Sequence, residues 1–249
     1  MGNLAKHNSI VKKFSLLLDL SKKEKNMLLS LQDNCQSIPA KTDLVLEGKE
    51  FVNTYIIQDG WAYNYKLLED GRQQNLNFSI RGDFIGLYAT VFNKSENSVR
   101  ALTDLTVCKV EPDRIIELFG KAPRLAAAIC WTAARDGAIL GEHITRIGRR
   151  TAYERTGHII LELLRRLEAV DLAESDSYEF PLTQEILADT LGLTTVHMNR
   201  TLRTLKNDGM ISFDGKRIIV NNRSKLREVA GFNPTYLQHK KLPGKIKSL

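Results

Sequence analysis

The chain has 249 residues, 43% apolar and 26% charged, enough for two ordinary domains with buried cores and too apolar for wholesale disorder. No apolar run approaches the ~18 residues of a membrane span, and the start, MGNLAKHNSIVKKF, lacks the apolar stretch of a secretory signal, so a cytoplasmic protein with no membrane partner is expected. Net charge is +7 and unevenly placed: residues 148–249 hold 17 Lys and Arg against 12 Asp and Glu, the first 147 only 19 against 17, which puts an anion-binding surface in the C-terminal part.

Residues 10–34 read as a helical entry, with Leu16, Leu17, Leu20, Met27, Leu28 and Leu31 at helical intervals. From Cys35 to Val110 the runs DLVLEG, NTYIIQDG, WAYNYKLLEDG, NLNFSI and LTVCKV are punctuated by Gly48, Asp59-Gly60, Asp70-Gly71 and Gly82. Short strands broken by Asp-Gly turns predict a compact antiparallel barrel or roll. Residues 112–147 return to helix, where Ile129, Ala133, Leu140, Ile144 and Ile147 form a stripe suited to a dimer seam, with burial on the roll as the alternative. The segment IGRRT reads as a hinge, and Thr151 with Glu154 makes a capping box for a further helix through HIILELLRRLEAV. Residues 171–179, DLAESDSYE, read as a polar linker, and the basic tail from Pro234 as a frayed terminus. Cys35, Cys108 and Cys130 are far apart and show no metal-ligand spacing, so each is expected as a buried thiol; no metal or other cofactor is expected.

Residues 182–208, LTQEILADTLGLTTVHMNRTLRTLKND, carry the chemistry. Thr183 can cap one short helix, Gly192 supplies a tight turn, and Thr194 can cap a second helix. On that second helix Met198, Leu202 and Leu205 share a face, leaving Thr195, Val196, Asn199, Arg200 and Arg203 on the other. Arginine can bond guanine in bidentate fashion, asparagine can bond adenine, and a methyl can meet thymine. MISFDGKRIIV then predicts a wing hairpin, with Lys216 and Arg217 beside its turn for phosphate.

The segments LGLTTVHMNRTL and GMISFDGKRIIV resemble the DNA-binding domain of the cyclic AMP receptor protein/FNR family, and DLVLEG, IIQDG, RGDFIG and VRALTDLTVCKV resemble its cyclic-nucleotide-binding-like roll, over roughly residues 35–222. The resemblance implies an α+β fold: an N-terminal antiparallel β-roll with its helix (residues 1–120), a long dimerisation helix (121–147), a C-terminal winged helix-turn-helix (148–233) and a basic tail (234–249). It implies base-reading positions at Thr195, Val196, Asn199 and Arg200, and backbone contacts at Thr183, Thr194 and His197. It also implies a homodimer on a palindromic double-stranded operator, with RNA polymerase as a partner.

The effector pocket departs from that family. Nucleotide-binding members carry a Glu after the Gly turn and an Arg-Ser or Arg-Thr pair for the phosphate. Here the corresponding positions are Gly82, Asp83, Gly86, Leu87 and Tyr88, then Glu96 and Ser98, with no Arg between. A carboxylate at Glu96 repels phosphate, so no cyclic nucleotide is expected and the effector is left open; a cyclic-nucleotide- or haem-responsive regulator is the alternative. The N-terminus has no cysteine group for an iron–sulfur cluster. A metal-dependent barrel enzyme is disfavoured because the five histidines, at 7, 143, 158, 197 and 239, avoid the strand-rich region.

Overall fold

Local capping chemistry sets the helix boundaries in this computed structural model, which describes residues 9–50, 53–87, 94–238 and 241. The helical entry is two helices rather than one, α1 (Ser9–Ser15) and α2 (Lys22–Ser30). Ser21 ends the connection by capping α2: its Oγ accepts from the Glu24 N–H at 3.2 Å, and its own N–H donates to the Glu24 carboxylate at 2.8 Å.

Among the described residues eight strands follow: β1 (Cys35–Ile38), β2 (Asp43–Val45), β3 (Thr54–Asp59), β4 (Ala62–Leu67), β5 (Gln73–Ser79), β6 (Phe84–Ile85), β7 (Ser98–Ala101) and β8 (Leu105–Val110). They make two four-stranded sheets, ordered β1-β8-β3-β6 and β2-β7-β4-β5, the roll expected from the strand pattern. Alternation along β3 splits its side chains between two cores. Ile56 joins Ile10, Phe14, Leu17, Leu118 and Leu125, whereas Ile57 joins Val45, Val99, Leu105 and Val107. Full burial of each such side chain contributes ~1.5–3 kcal/mol. The β3–β4 turn demands glycine: Gly60 has φ +85°, and a Cβ there would lie 2.2 Å from the Asp104 carbonyl oxygen.

Strand register brings two cysteines together that sequence spacing keeps apart. Cys35 and Cys108 are opposite one another on β1 and β8 and form a disulfide, and Cys130 is a free, exposed thiol. The expectation of three buried thiols is thus corrected: only Cys108 is buried as residue and none of the three is a buried free thiol. The single helical stretch expected over 112–147 is two helices, α3 (Pro112–Lys121) and α4 (Pro123–Arg149), each opening on a proline, which the first helical turn tolerates.

The chain divides into two compact units. The described residues of Met1–Asn64, Phe78–Asp136 and His239–Leu249 form one, those of Tyr65–Asn77 and Gly137–Gln238 the other, so α4 supplies residues to both. The second unit contains α5 (Ala152–Glu168), β9 (Ala173–Glu174), β10 (Ser177–Glu179), α6 (Gln184–Leu191), α7 (Thr195–Asn207), β11 (Ile211–Asp214), β12 (Arg217–Val220), α8 (Arg223–Val229) and a 3-10 turn, Pro234–Leu237. Thr151 caps α5 as expected, with the reciprocal Glu154 contacts at 3.3 and 2.7 Å.

Two expectations fail in this unit. Residues 171–179 are not a linker: they contain the hairpin β9–β10, which extends the wing sheet in the order β11-β12-β10-β9. Its turn places Ser175 and Asp176 at positive φ, and Tyr178 is fully buried, its hydroxyl donating to the Ile160 carbonyl at 2.9 Å. The tail is not frayed from Pro234. Leu237 is buried and the Tyr236 hydroxyl donates to the Glu162 carboxylate at 2.8 Å; of residues 238–249 only Gln238 and Lys241 lie within the described part.

Candidate nucleic-acid interface

Two capped helices at a glycine corner build the interface. The Thr183 Oγ1 accepts from the Ile186 N–H at 3.2 Å and starts α6; Gly192, at φ +63°, turns the chain in a left-handed conformation; the Thr194 Oγ1 accepts from the His197 N–H at 3.2 Å and starts α7. Both threonine hydroxyls expected to touch DNA backbone therefore also act as caps. Met198, Leu202 and Leu205 are buried beneath α7. Asn75 is buried on the other side of α6, where its Nδ2 donates to the Ile186 carbonyl at 3.1 Å and to the Thr190 Oγ1 at 3.3 Å.

The opposite face of α7 is open. Val196 is 72% exposed, and Thr195, His197, Asn199, Arg200 and Arg203 are all exposed. A groove of about 360 Å³ is lined by Gln184, Thr195, Val196, Asn199, Arg200 and Arg203. Gln184 was not foreseen; it is the first residue of α6, and only its place beside the Thr183 cap could have pointed to it. Its Oε1 accepts from the Asn199 Nδ2 at 2.8 Å.

The wing is the hairpin β11–β12, with Gly215 at φ +55° and Lys216 exposed at the turn. Arg217, expected beside Lys216 as a phosphate contact, is turned onto β10 instead: its Nε donates to the Ser177 Oγ and its Nη2 to the Ser177 carbonyl, both at 3.1 Å. The unforeseen β9–β10 hairpin supplies that partner.

Most of the residues expected to line an effector pocket are buried within the first unit. Asp83 is buried in an ion cluster within the first unit, paired with Lys13 of α1 and, at 3.2 Å, with Arg135 of α4, while the Ile80 N–H donates to its other oxygen at 2.9 Å. Burial first, then the Arg135 charge, lowers the Lys13 ammonium to about 8, and Asp83 opposes that shift. Gly82 lies against α1, where a Cβ would meet the Ser9 carbonyl oxygen at 3.2 Å. Gly86 is buried, Leu87 packs on the α1–α2 core, Glu96 is exposed, and the buried Ser98 Oγ accepts from the Glu47 N–H at 3.0 Å. Arg100 is held in a bidentate pair with Asp43 at 2.8 Å. Tyr88 lies outside the described residues, as does His7.

Of the expected seam residues, Ala133, Leu140 and Ile144 are exposed and Ile147 is half-buried. Ile129 is a correction: it is 3% exposed and belongs to the roll's own core, because the open stripe passes one residue further along, at Cys130.

A buried polar network ties α4 to α5. The Arg146 Nη2 donates to the Glu162 carboxylate, and its Nε donates to the His158 Nδ1 at 3.2 Å; the Arg146 Nη1 lies 3.4 Å from the His143 Nδ1. Burial and the Arg146 charge push His143 down to about 4, and burial with Arg146 and Arg150 pushes His158 down to about 2. Among the described residues, no group of three or more His, Cys, Asp or Glu could hold a metal ion, and no helix is long and apolar enough to cross a membrane.

An antiparallel roll, a long helix and a capped helix pair followed by a hairpin wing define a winged helix-turn-helix DNA-binding protein. Residues 154–229 match the Crp-like helix-turn-helix domain, and residues 35–122 match the cyclic nucleotide-binding domain. The chain is 30% identical over 200 residues to the transcriptional activator protein FnrL of Cereibacter sphaeroides, covering 79% of this chain and 80% of that protein. It is 26% identical to an anaerobic regulatory protein of Aggregatibacter actinomycetemcomitans, over 95% of this chain and 93% of that one. The solved structure of FixK2 from Bradyrhizobium japonicum superposes with a TM-score of 0.72 at 27% identity, covering 79% of this chain and 96% of that one. The chain belongs to the Crp/Fnr family and is a transcription regulator that binds DNA through its helix-turn-helix.

Proposed function

We propose that the protein acts in the cytoplasm as a homodimer on an inverted-repeat operator, reads bases through Thr195, Val196, Asn199 and Arg200, and engages RNA polymerase from that site. Thr183, Thr194, His197, Arg203 and Lys216 contact the DNA backbone. The observation that carries this reading is the exposed face of α7, which groups two arginines, an asparagine and an exposed valine around one groove, as a major-groove reader requires. The exposed Ala133, Leu140 and Ile144 of α4 support pairing with a second copy, which sets two recognition helices about one DNA turn, ~34 Å, apart. We assign the protein no catalytic activity.

The effector is not a cyclic nucleotide in this reading. Asp83 is neutralised internally, Arg100 is committed to Asp43, and Glu96 presents a carboxylate where a phosphate would approach. Selection of bound sequences from random duplex DNA tests the operator: an inverted repeat bound by two chains is expected, and a single unrepeated half-site bound by one chain would refute it. In thermal melts, millimolar cyclic AMP or cyclic GMP is expected to leave the midpoint unchanged. A ligand at 100 times its dissociation constant would add ~2.7 kcal/mol, and a clear upward shift would overturn that part.

A further inference from the structure

We propose that Gln184 and Asn199 form one base-reading unit, in which Gln184 of α6 positions the Asn199 amide of α7 for an adenine edge and turns its own amide N–H groups to the adjacent phosphate. The inference rests on α7 entering the major groove. The Asn199 Nδ2 donates to the Gln184 Oε1 at 2.8 Å, and both side chains are exposed at the groove shared with Val196 and Arg200. That bond uses one Asn199 N–H and fixes which end of the amide faces α6. It leaves the second N–H and the Oδ1, a donor beside an acceptor, which is the complement of adenine N7 and N6. Gln184 keeps both N–H donors of its Nε2, while Asn199 takes one lone pair of its Oε1. It lies next to Thr183 and also lines the adjoining cavity with Arg203 and Lys206, the cationic side of the interface. Free amide N–H donors suit phosphate.

Folding does not need this bond. Leu187, Leu191, Met198, Leu202 and Leu205 are buried between and beneath the two helices and already fix their crossing. An exposed amide–amide hydrogen bond gains little over its water-bonded alternative, while holding two flexible side chains costs conformational freedom. Its value lies in ordering Asn199 before DNA arrives, so that less ordering remains at binding.

The whole chain and five variants separate the two roles, using the selected operator, its single-base-pair variants and a random duplex. Asn199→Ala should lose roughly 5- to 100-fold discrimination at one base pair. Gln184→Ala should reduce discrimination at that same pair and leave the pair read by Arg200 unchanged, and the double variant should discriminate no worse than Asn199→Ala alone. Gln184→Glu keeps the acceptor for Asn199 but sets a carboxylate against phosphate. It should preserve the base preference while weakening every duplex alike. The proposal is overturned if Gln184→Ala leaves the preference at the Asn199-dependent pair intact, or lowers discrimination equally at all pairs. If the unsubstituted protein selects no sequence at all, the groove reading fails and the pair falls with it. If Arg200→Ala relaxes its own base pair while Gln184→Ala relaxes none, the groove reading stands and only the Gln184 role is lost.

Discussion

Arg200 and Lys216 have the same charge, and the proposed function gives them opposite jobs. Arg200 is exposed in the α7 groove, one helical turn from Val196, where a guanidinium can span guanine O6 and N7. Lys216 is exposed at the turn of the wing, where an ammonium on a flexible stem can meet a phosphate as a point charge. Arg200→Ala should weaken the preferred operator by ~1–3 kcal/mol and random duplex much less. Lys216→Ala should weaken both alike and reduce the salt dependence by about one phosphate contact. Equal losses on operator and random DNA for Arg200→Ala would remove it from the base-reading set. The outward face of α7 was legible because helical periodicity alone separates Met198, Leu202 and Leu205 from Val196, Asn199 and Arg200. Gln184 and Arg217 were not, because their roles depend on which side chain of another element comes within 3.1 Å.

At the scale of elements, the α4–α5 joint has a pH signature. Arg146, Glu162, His143 and His158 are all buried there, with Arg166 of α5, Glu142 of α4, Arg150 just after α4 and Tyr236 of the C-terminal turn facing them. His158 accepts from Arg146, so the ring is held neutral, and both histidines have folded-state values far below the ordinary 6.5. An unfolded chain therefore binds protons that the folded chain refuses as pH falls. This contribution is complete above pH 6.5 and is lost as pH drops toward about 4 for His143 and further for His158. Each histidine should cost ~2 kcal/mol between pH 6.5 and 5. Urea unfolding at both pH values should show this loss, and His143→Asn with His158→Gln should flatten it. An unchanged slope in the double variant would place the acid sensitivity elsewhere. Sequence reading found the Thr151 box that starts α5 because the signal is local. It missed β9–β10, whose two- and three-residue strands carry Tyr178 as their only large apolar residue, and it missed Cys35–Cys108, whose 73-residue separation closes only through strand register.

On the scale of the whole molecule, the proposed homodimer needs a surface that joins two copies, and the open stripe of α4 is the candidate. Cys130, Ala133, Gly137, Leu140 and Ile144 are exposed at alternating steps of three and four, the 3.5-residue repeat of a helix pair. Ile144, 66% exposed, is the largest exposed apolar side chain of that stripe together with Leu140. In a parallel two-fold pair, each position on the axis meets its own copy, so Cys130 faces Cys130 and Ile144 faces Ile144. Cys35 and Cys108 are consumed by their own disulfide, which leaves Cys130 as the thiol able to join two chains. Mild oxidation with a diazene such as diamide, which takes up the two electrons and two protons released, should give a covalent dimer of twice 28.2 kDa on a non-reducing gel, and Cys130→Ser should abolish it. Ile144→Glu sets two carboxylates against each other at the seam. It should yield a monomer by light scattering and lower operator affinity far more than affinity for a single half-site, because only the dimer links two reading events. If Ile144→Glu stays dimeric and Cys130 does not cross-link, the two copies meet through some other surface, and the spacing of the half-sites must be set there.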